Sequence, residues 1–307
     1  MGLQHYSHVI LDTVEKLSER ASYEGLCHQN KDGRPFPAED KLEEIIAICR
    51  SILFPGFFGK SILHKQTIPF HIGIQTERLF ELLSHQIMAG ICFCADEKNC
   101  QEQESNSYHI RQQIQEDAWA KTAELIAFLP TLRYILAEDV QAAYNNDPAA
   151  ESIAEIIFSY PGIRAISNHR IAHKLLELNV PIIPRMISEM AHSETGIDIH
   201  PGAQIGPGFT IDHGTGVVIG ATSIIGNNVT IYQGVTLGAK NFPLDEAGNP
   251  IKGIPRHPIL ENNVVIYANA TILGRITIGE GSSIGGNIWV TESVPPNSRV
   301  AQRSPKK

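Results

Sequence analysis

The chain has 307 residues, 42% of them hydrophobic, and a net charge of -8. That apolar content is enough for a packed core and excludes a disordered chain. The acidic balance excludes the basic face of a nucleic-acid binder, and no apolar run reaches the roughly 18 residues of a membrane span. Neither nucleic acid nor membrane is an expected partner.

The N-terminal stretch MGLQHYSHVILDTVEKLSER mixes charged and apolar residues without a signal-peptide core. Tyr6 breaks the myristoylation pattern. Five cysteines, at positions 27, 49, 92, 94 and 100, are odd in number and confined to the first third. They read as the reduced thiols of a cytoplasmic chain rather than a disulfide framework. Cys92, Cys94 and Cys100 offer three thiolates, but no fourth ligand stands at zinc spacing, so no metal is expected there.

Helices follow. Apolar residues return every three or four positions in AEDKLEEIIAICRSIL (38–53), TERLFELLSHQIMAGI (76–91), IRQQIQEDAWAKTAELIAFL (110–129) and PGIRAISNHRIAHKLLEL (161–178). In NNDPAAES, Asp147 before Pro148 reads as an N-cap with proline at the first helical position, which leaves room for a second role. His169 and His173 stand one helical turn apart, but no glutamate follows the first as a metalloprotease requires, so they read as a helix face. Thr195-Gly196 ends the last helix. Seventeen of the 25 glycines come after Thr195. A helical domain over 1–195 is therefore expected, followed by a second domain over 196–301 and a short basic tail over 302–307.

That second domain has a six-residue beat. Ile199, Ile205, Ile211 and Val217 are six apart; Ser223 interrupts the row and Val229 and Val235 resume it. A parallel row runs Ile219, Ile225, Ile231, Leu237, and the beat returns as Leu260, Ile266, Ile272, Ile278, Ile284, Val290. Such a period fits a parallel β-helix of hexapeptide repeats, three hexads to a turn, with aliphatic side chains inward and Gly, Asn and Asp at the corners. The fold class is α+β: an all-helical N-terminal domain, then a left-handed parallel β-helix. One segment, 239–257, breaks the beat with three prolines and two glycines, so it protrudes as a loop.

The scaffold does not need Asp198, Asp212 and His213. His213 falls in the slot that later turns give to Ile219, Ile225 and Ile231, where an imidazole forgoes the burial an isoleucine gains. It reads as a general base near neutral pH or as a corner histidine bonded to a neighbouring loop; Asp212 and Asp198 favour the base, which needs a carboxylate to orient it. A strict 18-residue coil does not stack Asp198 under His213. His200 reads as a turn residue. Arg256 and His257 close the protruding loop, and a guanidinium there suits a carboxylate. His200, His213 and His257 are spaced wrongly for a shared zinc.

DIHPGAQIGPGFTIDHGTGVVIG, then VTLGA, a loop closing in RHP, ILGRITIGEGSSIGG and VPPNS together resemble the serine acetyltransferases of the hexapeptide-repeat superfamily. The upstream NNDPAAES and NHRIAHKL resemble that family's helical domain. The likeness spans roughly 135–300; residues 1–110 look like an extended N-terminal region. The resemblance implies acetyl transfer from acetyl-CoA, a cosubstrate rather than a bound cofactor, to L-serine. It implies His213 as base, Asp198 as its partner, and Asp147, Asp212, Arg256 and His257 around serine. Coenzyme A contacts fall near Gly238, Ala268 and Gly286. It also implies a homotrimer or a dimer of trimers with active sites between subunits, and L-cysteine as inhibitor.

Two departures stand out: the loop 239–257 is long, and VAQRSPKK replaces the family's GVPARIVG. A tail ending Ser304-Pro305-Lys306-Lys307 lacks the terminal isoleucine that other members insert into O-acetylserine sulfhydrylase, so no stable complex is expected through it. The competing readings are a hexapeptide acetyltransferase for a sugar or xenobiotic hydroxyl, and a catalytically dead scaffold.

Overall fold

The computed structural model describes residues 6–26, 36–59, 63–98, 107–241 and 243–302. Cys27, Cys100 and the tail from Ser304 to Lys307 lie outside them. The chain divides into two compact units, Met1–Pro35 and Phe36–Lys307. The first carries α1 (Ser7–Ser18) and α2 (Arg20–Tyr23). The second begins with α3 (Glu39–Leu53), α4 (Ile68–Lys98), α5 (Ser107–Asn146), α6 (Ile153–Ser159), α7 (Pro161–Glu177) and α8 (Ile183–Thr195). No helix among the described residues is long and apolar enough to cross a membrane. The three described cysteines are free thiols, with Cys49 and Cys92 buried.

The expected helices form, and two run further than their apolar pattern. Within α3, Leu42, Ile45, Cys49 and Ile52 fall on one buried stripe. α5 continues through Pro130 to Asn146, where the sequence pattern stops at Leu129. Proline inside a helix costs about 3 kcal/mol. Leu125, Leu129, Leu132 and Leu136 flank it, each at most 5% exposed, and each such burial returns about 1.5–3 kcal/mol. Packing outweighs the lost hydrogen bond. Asp147 is not the N-cap of the next helix. Ser152 takes that role, accepting the Glu155 N–H at 3.1 Å, while Glu155 reaches back to the Glu151 N–H at 2.8 Å. α8 ends on Gly196, left-handed at φ 70°, as Thr195-Gly196 predicts.

The strands are short: β1 (Asp198–Ile199), β2 (Gln204–Ile205), β3 (Thr210–Asp212), β4 (Val218–Ile219), β5 (Ile224–Ile225), β6 (Thr230–Tyr232) and β7 (Thr236–Gly238) precede the loop. After it come β8 (Ile259–Leu260), β9 (Val265–Ile266), β10 (Thr271–Leu273), β11 (Thr277–Ile278), β12 (Ser283–Ile284), β13 (Trp289–Val290) and β14 (Arg299–Val300). They form three parallel sheets, β1-β4-β7-β10-β13, β2-β5-β8-β11 and β3-β6-β9-β12-β14. Through β13 every third strand shares a sheet, the pattern of a parallel β-helix, and β14 then follows β12 in the third sheet.

Register corrects one expectation. The inward ladder of the first sheet is Ile199, Ile219, Leu237, Ile272, Val290. That of the third is Ile211, Ile231, Ile266, Ile284, Val300. Ile211 therefore continues to Ile219, not to Val217. Val217, Val229 and Val235 form a second buried row, two residues before the first within each hexad. The slip arises because Asp198 pairs with Val218, a step of 20 residues, whereas Val218 pairs with Thr236, a step of 18. The first coil holds two extra residues, at the corner 213–217.

The helices grip this first coil. Arg170 of α7 donates from Nε and Nη2 to both oxygens of Asp139 in α5, at 2.8 and 2.9 Å. The same guanidinium donates to the carbonyls of Ile205 and Gly206, at 2.9 and 2.8 Å. Asp139 also accepts the Phe209 N–H at 3.0 Å. Gly162 brings α7 against β3, since a Cβ there would overlap the Ile211 carbonyl. The histidine pair of α7 packs inward: His169 is buried and stacks on His173, whose Nδ1 bonds the Pro201 carbonyl oxygen at 2.7 Å. The segment 239–257 leaves the coil as expected. It carries a small antiparallel turn in which Leu244 pairs with Pro250 and Asp245 Oδ1 accepts the N–H groups of Ala247 and Asn249.

Candidate active site

The extra residues of the first coil decide where His213 points. It does not occupy the inward isoleucine slot, which Ile211 and Ile231 fill. His213 sits on the corner itself in the left-handed region, φ 57°, with its side chain 73% exposed. Other left-handed corner positions carry asparagine, among them Asn228, Asn263, Asn269 and Asn287; His is one of the few side chains that tolerate that conformation. A longer coil thus turns an inward position into an outward one, on a rigid frame.

Beside it lies a small cleft where the end of α5 meets the third sheet. Asp147, Tyr160, Asp212, Thr230 and Tyr232 line it. Asp147 accepts the Tyr160 hydroxyl at 2.5 Å and the Ala149 N–H at 2.8 Å, an Asx turn rather than a cap. These donors hold its carboxyl below the usual carboxylate range, Tyr160 foremost, and the same hydrogen bond pushes Tyr160 up to about 12. Asp147 stays ionised and Tyr160 stays a donor. The nearest carboxylate recorded for His213 is Asp212, whose Oδ1 is 3.9 Å from Nε2. Tyr232 pairs in register with Asp212 and stacks on Tyr267, with centroids 5.3 Å apart. Burial, then Asp212, raises the Tyr232 hydroxyl. Sequence reading missed Tyr160 and Tyr232; a 20-residue first coil would have set Tyr232 beside Asp212.

Asp198 opens the first sheet. Among the described residues no hydrogen bond or ion pair joins it to His213. Its carboxylate lies within 4.8 Å of ligand atoms of Glu189 and His192 on α8. The backbones are nonetheless adjacent: Gly216 donates to the Gly196 carbonyl at 2.8 Å and Asp198 to that of Val217 at 2.9 Å.

Arg256 and His257 stand on another corner, at the opposite edge of the first sheet. His257 is 7% exposed. Its Nδ1 accepts the Thr222 N–H at 3.1 Å and the Thr222 hydroxyl at 2.8 Å. Thr222 Oγ1 in turn accepts the backbone N–H groups of Arg256 and His257. A backbone N–H can only donate, so the neutral ring carries its proton on Nε2. Burial, with Arg256, His200 and Arg275 adding, pushes His257 down to about 4, so it is neutral near pH 7. Gly220 makes room for the ring, since a Cβ there would collide with it. Arg275 donates to the Thr222 and His257 carbonyls, at 2.6 and 3.0 Å. His200 serves its own turn, its Nδ1 accepting the Gly202 N–H at 2.9 Å.

The expected coenzyme A positions divide likewise. Ala268 and Gly286 stack one coil apart on the corner that His213 begins, the Ala268 carbonyl accepting the Asn287 N–H at 2.9 Å. Gly238 ends β7 on the Arg256 corner. One chain therefore presents Asp147, Asp212, His213, Ala268 and Gly286 at one edge of the first sheet, and Gly238, Arg256 and His257 at the other.

A parallel β-helix of hexapeptide repeats with a histidine and carboxylates on its corners is the architecture of the hexapeptide-repeat acyltransferases. No family model matches the chain. It is 47% identical over 296 residues to the plasmid serine acetyltransferase of Synechococcus elongatus, covering 95% of this chain and 90% of that one. Over 166 residues it is 47% identical to the serine acetyltransferase of Bacillus subtilis, covering 54% of this chain and 72% of the relative. Entamoeba histolytica serine acetyltransferase 1, solved in complex with L-cysteine, superposes with a TM-score of 0.70 at 32% identity, covering 95% of this chain and 98% of that one. The Neisseria gonorrhoeae serine acetyltransferase, solved in complex with serine, gives 0.53 at 26% identity, covering 91% and 100%. The chain belongs to the serine acetyltransferase family.

Proposed function

We propose that this chain transfers the acetyl group of acetyl-CoA to the hydroxyl of L-serine at a site shared between neighbouring chains, with His213 as general base. The observation that carries this reading is the exposed histidine beside two carboxylates, Asp147 and Asp212, that line a small cleft. A zwitterionic acceptor needs a negative wall for its ammonium and a cation for its carboxylate. Asp147 and Asp212 supply the first and Arg256 the second. His257 adds a neutral Nε2–H donor. A sugar or xenobiotic hydroxyl has no use for this charge pattern.

The chemistry follows. His213 takes the hydroxyl proton as serine Oγ attacks the acetyl carbonyl carbon. The tetrahedral species breaks its C–S bond, and the imidazolium returns the proton to the coenzyme A thiolate. The products are O-acetyl-L-serine and coenzyme A; no metal or covalent enzyme intermediate is needed. Asp198, on the strand beside the corner of His213, orients the imidazolium once substrate is bound; catalytic hydrogen bonds are often loose in the free enzyme.

The division of the site between two corners supports a threefold assembly in which the His213 corner of one chain faces the Arg256 corner of the next. Coenzyme A then lies in the groove between them, near Gly238 of one chain and Ala268 and Gly286 of the other. L-Cysteine carries the ammonium and carboxylate of serine and competes for the same pocket, a reading supported by the Entamoeba relative solved with it.

Thiol release from acetyl-CoA tests the proposal, with L-serine, galactosides and chloramphenicol-like alcohols as acceptors. Serine-dependent release is expected. Release only with the other acceptors would overturn it.

A further inference from the structure

A second cleft, of about 450 Å³, lies between α3, α7 and α8, and no residue of either corner lines it. Its volume is that of a small-molecule site. Glu43, Ile46 and Arg50 line it from one face of α3, Asn168 from α7, and Met190 and Glu194 from α8.

Two groups in it are chemically unfinished. Asn168 is 2% exposed, and its Oδ1 accepts no hydrogen bond among the described residues. Leaving a buried carbonyl unsatisfied costs free energy that folding alone does not require. Arg50 is half-buried, and its guanidinium makes no hydrogen bond or ion pair among the described residues; it rests 5.5 Å from the centre of the Phe58 ring. Burial, with the Arg164 charge adding, pushes it down to about 10. Arg164 is itself paired with Glu194, so of these two guanidinium groups Arg50 is the one that meets no carboxylate among the described residues. The opposite sign is present too, on Glu43, about two turns nearer the start of α3. A simple anion meets Glu43 and a simple cation meets Arg50; a zwitterion suits both. Ile46 and Met190 offer an apolar wall between them.

We propose that this cleft binds an α-amino acid with an apolar side chain. The carboxylate lies on Arg50, the ammonium on Glu43, and the side chain against Ile46 and Met190. The site is separate from the acetyl-transfer site and does not depend on the reading of that site. It lies partly on α3, in the N-terminal region outside the stretch that resembles the family most.

Equilibrium dialysis of the full chain with radiolabelled L-methionine, in excess L-serine and coenzyme A, tests it. One saturable methionine per chain is expected, unaffected by serine. L-Leucine should displace it, while N-acetyl-L-methionine and L-methionine methyl ester, each lacking one charge, should not. Arg50→Gln should weaken binding about tenfold or more, the loss of one charge-assisted pair. Ala47→Phe, on the exposed lining of the same helix face, should block binding while keeping every charge. Dialysis reads binding without turnover, so failure here differs from failure of the acetyl-transfer reading. Serine acetylation near the parental rate in both variants would report an intact fold. Absence of saturable binding up to roughly 10 mM would overturn the proposal. So would displacement by serine, undiminished binding in both variants, or competition by the methyl ester as strong as by leucine.

Discussion

His213 owes its exposure to two extra residues, and the Asp147 carboxylate is held in place by one tyrosine. Tyr160 donates to Asp147 at 2.5 Å. Tyr160→Phe removes that donor, which leaves the Asp147 carboxylate ionised but free to turn, and its hold on the serine ammonium loosens. The expected result is a KM for L-serine raised several-fold with kcat little changed, since the ion pair to the ammonium is weakened rather than lost. An unchanged KM would remove Tyr160 from the site. His257 makes a pH prediction. Its folded-state value lies at about 4, below the unfolded imidazole. Below about 6.5 the unfolded chain takes up a proton that the folded chain refuses. The stability tied to His257 is therefore complete above that pH and is lost as pH falls toward 4. Thermal unfolding at pH 7 and pH 5 should show a smaller acid-induced drop in Tm for His257→Gln than for the parent. An equal drop would assign the acid sensitivity to other groups, His169 among them.

At the scale of elements, the helices and the hexad beat were legible because each buries a stripe with its own period. What was not legible was register. Val217 continues the six-residue count from Ile211, and nothing in the residues distinguishes it from the true partner Ile219, since both are buried aliphatics. The capping of Asp147 was misread for a similar reason: Asp-Pro begins turns as well as helices, and Ser152 four residues later offers the better cap. Excising Gly214 and Thr215 should restore an 18-residue first coil. Circular dichroism and coenzyme A binding should stay near parental, while serine acetylation falls ~100-fold or more with the base displaced. Parental turnover would separate the long coil from function. The Asp139–Arg170 clamp was invisible, because the partners are 31 residues apart and meet only when α5 and α7 close on the first coil. Asp139 is 0% exposed, so Asp139→Ala leaves a buried guanidinium uncompensated and should cost about 3–5 kcal/mol in urea unfolding. Asp139→Leu with Arg170→Met should recover much of that loss. A cost below about 1 kcal/mol for the single change would mean the pair is solvated.

At the scale of the whole molecule, the residues that the family resemblance names fall on two corners separated by the width of the first sheet. The sequence names them and cannot show the division, because a six-residue period carries no information on which corner faces a neighbour. If neighbouring chains complete the site, two defects on different corners should complement each other. His213→Ala chains and Arg256→Ala chains, each alone, should acetylate L-serine ~100-fold slower than the parent or worse. Equal amounts of the two, tagged differently, unfolded and refolded together and purified through both tags, contain interfaces in which an intact His213 corner meets an intact Arg256 corner. Random pairing in a closed ring makes those roughly a quarter of all interfaces in an equal mixture. Thiol release with L-serine should recover to that order in the doubly tagged species. Doubly tagged assemblies no faster than the single variants, or a His213→Ala chain that turns over at the parental rate by itself, would contradict it.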